Sequence, residues 1–433
     1  MLFELQREDR IFLQSDHINT IVVGLSGGVD SVVLLHSVVH LGLPKKIIAV
    51  HVHHGLSANA DDWLAHCKRL CDTMAVDFYS HKVVLDSAKG SLEEKARDAR
   101  YEIFERYIGV NDVLLLGHHR GDQAETLLFR LLRGTGGRGL AGIPHRRRLG
   151  KGSLLRPLMH LPKQTLYEYA AQFQLAWVED ESNRDVRFQR NKIRQELLPT
   201  LKTIAPKIEE QLSNTAARIQ VDYSILDRLA RRVMSANINE WGGLILADLP
   251  NQPVAEQIYW LQSYLREHAI NATYAQLENV AFSVSSDTDH QPLIVLSGKR
   301  LQRLKGVLYV LPKDEPSVPL LLESGVTVNR AFDQVMVQGE GTLELKLRPS
   351  QLSLLMPSGQ HRLLKKWFND QQIPVWWRDH LPYVFQNDVL VAIGDLWQNP
   401  QYPELHIEWI INKNLVLPKP SKVNPNNHSW IIE

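Results

Sequence analysis

Between residues 19 and 118 short apolar runs alternate with amphipathic segments, and that alternation restricts the fold more than any other feature of the chain. Strands are expected at 19–25, 47–53, 78–84 and 113–118, with helices at 31–41, 57–75 and 91–108 between them. Strands this apolar need cover on both faces, so the pattern predicts a parallel sheet with right-handed helical crossovers. The last of these helices has the clearest start. Gly90 ends the preceding segment, Ser91 and Glu94 form a capping box, and Leu92, Ala96, Ala99, Ile103 and Tyr107 fall on one face. Ligands of open parallel sheets bind beyond the carboxyl ends of the strands, so the loops after 25, 53 and 118 should converge.

The first of those loops reads Ser26-Gly27-Gly28-Val29-Asp30-Ser31, squeezed between the apolar runs Ile21-Val22-Val23 and Val32-Val33-Leu34-Leu35. Adjacent glycines let a ligand approach the main chain, and the helix that follows offers unpaired N–H groups at its positive end. Such a corner suits a phosphate. It is not a Walker loop, since no Gly-Lys-Ser/Thr follows. Asp30, the one charged residue of the loop, makes sense among phosphates mainly as a Mg²⁺ ligand; the plainer alternative is a glycine turn with a helix-start carboxylate.

The other two loops are also polar. His51, His53 and His54 end one strand, where neighbouring side chains point oppositely, so one histidine lining a nucleotide pocket is expected rather than a zinc cage. The third loop runs from Gly117 through His118, His119, Gly121 and Asp122 to Glu125. Asp122 and Glu125 are three apart at a helix start, which puts both carboxylates on one face; they are either a capping pair or a receptor for an ammonium group or Mg²⁺.

Overall charge is balanced, 49 Lys and Arg against 48 Asp and Glu, but its distribution is not. From Thr126 to Tyr167 there is no acidic residue, while Arg130, Arg133, Arg138, Arg146, Arg147, Arg148, Lys151, Arg156 and Lys163 all fall there, beside the glycine-rich loop 134–139. A run this long next to an expected phosphate site favours a track for a nucleic-acid backbone over a merely solvated face. A second basic cluster holds Arg184, Arg187, Arg190, Lys192 and Arg194; Arg190 and Arg194 are four apart and share a helix face, able to clamp an anion together. The two cysteines, Cys67 and Cys71, lie on an apolar helix face and read as core residues, neither a disulfide nor a metal pair. Met1–Arg10 is charged without an apolar core, and no stretch is apolar for long enough to span a bilayer, so a soluble cytoplasmic protein is expected.

Pro199 and Pro206 mark the end of the first domain, expected over 1–205. A mainly helical domain over 206–312 should follow, with one long amphipathic helix from Ile208 to Val233, a second helix after Pro253 and a hairpin turning near Gly298. Prolines 312, 316 and 319 punctuate a linker to a small α+β domain over 323–433. Six of the ten tryptophans lie beyond residue 366. Most should be core, with some free to meet RNA beside Lys365, Lys366 and Arg378.

The string Ser26–Ser31 resembles the SGGxDS pyrophosphate loop of the N-type ATP pyrophosphatases, the PP-loop family. With His51–Gly55, Ser91–Arg100, His119–Gly142, Arg156-Pro157-Leu158, Trp177–Pro199 and Lys365–Asp395, the order of motifs resembles the tRNA(Ile)-lysidine synthetases among them. The resemblance implies an α/β chain: an adenine-nucleotide alpha-hydrolase-like sheet domain, then a helical and an α+β domain that grip tRNA. It implies that ATP adenylates carbon-2 of the wobble cytidine in the CAU-anticodon isoleucine tRNA and that free L-lysine then displaces AMP. Ser26, Gly27, Gly28, Val29, Asp30, Ser31, His54 and His119 would hold ATP, Asp30 would hold Mg²⁺, and Asp122 and Glu125 would receive lysine. Asp30, Asp122, Glu125 and Arg194 would be catalytic; Arg133, Arg138, Arg146–Arg148, Arg190, Lys365, Lys366 and Arg378 would meet the tRNA. A homodimer stays open. Where the family often has two adjacent aspartates this chain has Gly121-Asp122, which puts the metal ligand set in doubt. The rivals are a tRNA thiolase of the same loop family and a tRNA-binding protein without catalysis.

Overall fold

The computed structural model describes residues 4–53, 55, 59–83, 92–179, 189–239, 241–247, 249–285, 293–311, 320–330, 333–350 and 352–411. The chain divides into two compact units, Met1–Ile225 and Leu226–Glu433. His54, Ser91, Arg184, Arg187 and the prolines of the linker lie outside the described residues.

The first unit contains, in chain order, α1 (Arg7–Gln14), β1 (Thr20–Gly24), α2 (Val29–Val39), β2 (Lys46–His53), α3 (Ala60–Thr73), β3 (Asp77–Lys82), α4 (Leu92–Arg106) and β4 (Val113–Leu115). It continues with α5 (Arg120–Leu132), α6 (Gly137–Leu140), β5 (Arg146–Leu149), β6 (Gly152–Leu155), α7 (Lys163–Gln172), α8 (Gln189–Lys192), a π-helical turn over Ile193–Leu197, α9 (Leu198–Ile204) and α10 (Ile208–Ala236), which runs on into the second unit. The six strands form one sheet in the order β3-β2-β1-β4-β6-β5. All neighbours are parallel except β5, which returns antiparallel to β6 at the edge.

The alternation in the sequence is realised literally. Ile21 and Val23 of β1 enter one core with the apolar sides of α2, α3 and α7, whereas Val22 enters a second core with Ile103 and Phe104 of α4. Both faces are therefore dry, and each fully buried Val or Leu contributes about 1.5–3 kcal/mol. Cys67 and Cys71 belong to the first core as free, buried thiols. Strand order reverses between β1 and β4, so the loops after these strands open into one crevice.

One stretch adds to the expected elements and one shifts an expected helix start. The acid-free run contributes the β5–β6 hairpin, because Gly150 takes a left-handed conformation between two short strands. In addition α2 begins at Val29, so Asp30 lies in its first turn.

In the second unit the helices Val254–Glu267 and Tyr274–Ser285 pack on a four-stranded antiparallel sheet, where a single hairpin was expected. Both of its tight turns, Ser297-Gly298 and Lys305-Gly306, have positive φ at each centre, the geometry that joins twisted strands through two residues. The strand-rich remainder holds the expected hairpin at Asn387-Asp388. Its core includes Trp367, Trp377, Trp397 and Trp409, together with Trp241, Tyr309 and Leu311 from before the linker. Of the late tryptophans, Trp376 is only partly buried and Trp430 lies outside the described residues.

Candidate functional site

The loop after β1 is held by its own serines. Ser31 Oγ accepts the N–H groups of Ser26 and Gly27 at 3.1 and 3.2 Å and donates to the Gly28 carbonyl at 2.9 Å. Gly27 has φ +91°, and a Cβ there would lie 2.9 Å from Val178 and 3.0 Å from Cys67, so only glycine fits. Its carbonyl accepts the Val178 N–H at 3.0 Å. The N–H groups of Val29 and Asp30 open α2 and have no partner within the helix, leaving an anion cradle at its positive end.

The loop after β4 meets this cradle. Gly117 permits the approach: a Cβ on it would lie 2.9 Å from both the carbonyl carbon and oxygen of Asp30. Two residues on, His119 caps α5. Its Nδ1 accepts the Gly121 N–H at 3.0 Å, and Asp122 Oδ2 accepts the His119 N–H at 2.9 Å. With Nδ1 accepting, the neutral ring carries its proton on Nε2, which lies 3.9 Å from Asp30 Oδ2 and 3.7 Å from Asp122 Oδ2. A Cβ at Gly121 would come within 2.8 Å of the His119 ring, so the ring fills the space that a carboxylate there would need.

Asp30 Oδ2 also lies 3.6 Å from Lys163 Nζ, while its Oδ1 is buried without a partner. Burial raises its pKa, against the pull of His119 and Lys163. Asp122 goes the other way. Burial would raise it, but His119, His118, the His119 N–H and Arg194 outweigh that and hold it below the usual carboxylate range. An orphaned oxygen on Asp30 with a second carboxylate close by fits Mg²⁺, which takes one or two carboxylates and fills its sphere with water and phosphate oxygens. Among the described residues no group of three or more His, Cys, Asp and Glu is arranged to hold a metal by itself.

Glu125 sits one turn further along α5, and it is taken. Arg194 donates to both its oxygens, Nε to Oε1 at 2.6 Å and Nη2 to Oε2 at 2.8 Å, and reaches Asp122 Oδ1 at 3.8 Å. Burial would lower the Arg194 pKa, but Glu125, Asp122 and Asp30 raise it. Arg190 donates to Thr126 Oγ1 at 2.8 Å. Both arginines thus turn toward α5, Arg190 from α8 and Arg194 from the π-helical turn that follows it.

The other candidates scatter by role. His51 is buried and bonds the Leu25 carbonyl at 2.8 Å, which supports the phosphate loop from behind. Arg146, Arg147 and Arg148 lie exposed on β5, with Arg146 over the Phe12 ring at 4.5 Å. Arg133, just before the glycine loop, and Arg138, within it, are exposed. Lys365 and Lys366 are exposed on the helix Leu364–Asp370. Arg378 instead donates to the Ile373 carbonyl and to Asn369, both at 2.9 Å, and covers Phe368. Lys163 also reaches Asp30, and its place in the acid-free run, at the start of a helix after Pro162, is the signal for it in the sequence. Burial pushes the Cys67 and Cys71 thiols up to about 12, which leaves them unsuited to sulfur chemistry.

Comparison with known proteins agrees with this layout. The sequence model of the PP-loop domain matches residues 1–201, and that of the TilS substrate C-terminal domain matches residues 343–409. The tRNA(Ile)-lysidine synthase of Pseudomonas syringae pv. tomato is 37% identical over 408 residues, covering 87% of this chain and 89% of the relative. That of Vibrio vulnificus is 33% identical over 406 residues, covering 88% and 93%. Among solved structures, the U34-tRNA thiolase NcsA of Methanococcus maripaludis is 16% identical, with a TM-score of 0.42, over 50% of this chain and 75% of that one. The PP-loop match, the C-terminal match in the second unit and similarity over 87% of the chain converge: the chain belongs to the tRNA(Ile)-lysidine synthase family.

Proposed function

We propose that this protein joins free L-lysine to carbon-2 of the wobble cytidine in the CAU-anticodon isoleucine tRNA, through an adenylated tRNA, in the cytoplasm. The observation that carries the chemistry is that the phosphate loop and the α5 carboxylates face one another through His119, whose Nε2 lies within 4 Å of both Asp30 and Asp122.

The N–H groups that open α2 receive the leaving pyrophosphate, and Lys163 and Arg194 offset its charge. Asp30, whose Oδ1 is buried without a partner, would hold Mg²⁺, which would add to the neutralisation of the triphosphate. The His119 Nε2 proton faces this region as a donor, so His119 orients and does not serve as the base while neutral. Asp122, kept ionised, holds the lysine ammonium near the activated base. Glu125 is satisfied by Arg194, so it acts by fixing that guanidinium between the amine site and the phosphates. Arg133, Arg138 and Arg146–Arg148 supply backbone contacts to the RNA, joined by Lys365 and Lys366 of the second unit.

The test is incubation with ATP, Mg²⁺, labelled lysine and the CAU isoleucine tRNA. Lysine-labelled RNA is expected, with AMP and pyrophosphate released one for one. Absence of label with well-folded protein overturns the assignment.

A further inference from the structure

Between α1 and the β5–β6 hairpin lies a cleft of about 340 Å³, which falls within the range of small-ligand sites, roughly 300–1,000 Å³. Its walls include Glu8, Asp9 and Phe12 of α1, His145 and Arg146 where β5 begins, and Leu155 at the end of β6. The reaction proposed above uses neither Asp9 nor Phe12. Asp9 is only 4% exposed. Its Oδ1 accepts the His145 Nε2 proton at 2.8 Å, while its Oδ2, closed off from water, has no partner among the described residues. A buried carboxylate oxygen without a donor is costly, and an N–H brought in by a ligand removes that cost. Phe12 packs partly against the first core, and the Arg146 guanidinium, itself on an exposed residue, covers the ring at 4.5 Å.

These three features select one kind of occupant. A flat ring takes a flat ligand, an open carboxylate oxygen takes an N–H donor, and a cationic rim attracts a polyanion. A nucleobase with an amino group has the first two properties and brings a phosphate for the third. Free lysine has no plane to lay on Phe12, and its ammonium would meet the Arg146 cation.

We propose that this cleft takes one unpaired base of the RNA, other than the cytidine that reacts, stacked on Phe12 and donating an amino N–H to Asp9 Oδ2. This rests on the function proposed above. A base cannot slide between Arg146 and Phe12 at their present 4.5 Å, because each stacked contact takes about 3.5–4.0 Å. The base displaces the guanidinium from the ring, and the exposed Arg146 then meets the phosphate of the same nucleotide. Arg147 and Arg148, exposed on the same strand, supply contacts to flanking phosphates. The cleft lies close enough to the crevice to read a near neighbour of the reacting nucleotide. The Leu155 carbonyl accepts the N–H of Leu116, just after β4, at 3.1 Å, so cleft and catalytic loops share the carboxyl edge of the sheet. β6 stands two strands from β1, a separation of about 10 Å.

The test uses full-length protein and the CAU isoleucine tRNA with one abasic site placed in turn at each unpaired position except the reacting cytidine. With wild-type protein, one position should weaken binding by about tenfold and the others much less. At that position an analogue without the amino group, inosine for guanosine, purine riboside for adenosine or 2-pyrimidinone riboside for cytidine, should weaken binding a few-fold. F12L keeps an apolar side chain against the core but removes the ring; D9N keeps an acceptor for His145 and turns the open oxygen into a donor. In either variant the abasic site should cost little further, with KM for ATP and lysine unchanged. Far-UV circular dichroism checks folding, and F12L completes the cycle should D9N fail to fold. Equal losses at every position, a uridine at the sensitive position, persistence of the full loss in the folded variants, or a raised KM for lysine with RNA binding intact overturns the base assignment. Failure of wild-type protein to label unmodified tRNA overturns the proposed function instead, so the two outcomes are distinct.

Discussion

Arg194 closes on Glu125 with two parallel hydrogen bonds of 2.6 and 2.8 Å, and the Glu125 side chain is only 4% exposed. The carboxylate that the spacing of α5 offers as half of an amine receptor is therefore the anchor of a guanidinium.

Removing the guanidinium should expose that dependence. R194M leaves a buried carboxylate without a partner and should cost about 3–5 kcal/mol, read from urea midpoints. Adding E125Q to R194M should restore part of the stability without restoring lysine transfer, because the charge near the phosphates is still missing. R194K should fold normally yet lose roughly 10²-fold in kcat, since an ammonium cannot make the paired contact.

The approach of Gly117 to Asp30 predicts a loss of a different kind. In G117A the added methyl meets backbone atoms at 2.9 Å, so the loop after β1 must shift rather than a flexible side chain. Displacement on that scale should reduce ATP-dependent pyrophosphate release by roughly 10²-fold, with far-UV circular dichroism unchanged. RNA binding measured without ATP should be unaffected.

The exposed strand Arg146–Arg148 predicts salt dependence. Replacing the three arginines with glutamine should weaken tRNA binding at low salt and lower the slope of log K against log salt by about 0.7–0.9 for each phosphate that is no longer neutralised. An unchanged slope in this variant means that the strand is a solvated edge.

Acid sensitivity should come in part from His36, buried in α2 against His40, Tyr169 and Phe173. Burial and His40 lower its pKa to about 4 from 6.5. The unfolded chain therefore takes up this proton below about 6.5 and the folded chain only below about 4, so the associated stability is present above 6.5 and is lost as pH falls to about 4. The full shift corresponds to about 3 kcal/mol. In H36Q, which keeps a hydrogen-bonding group opposite Tyr169, urea midpoints should decline less between pH 7 and pH 4 than in the wild type.

The sequence by itself determined the sheet, its parallel sense, the phosphate loop and its placement with the Asp122 loop at the carboxyl ends of the strands. These follow from local periodicity and from glycine and serine positions whose meaning does not depend on distant contacts: Val22 and Val23 must point to opposite faces whatever packs there. Tertiary structure alone decided who is paired with whom. Arg194 lies 69 residues from Glu125 and Arg190 lies 64 from Thr126, so no helical spacing could disclose that these arginines turn inward. Arg378 likewise folds back onto the end of the preceding helix, Leu364–Asp370, while Lys365 and Lys366 stay exposed. Gly121 reads in sequence as a lost carboxylate and in three dimensions as room for the His119 ring. The open Oδ2 of Asp9 is the sharpest case, because its lack of a partner is a property of everything packed around it and of no residue in the string.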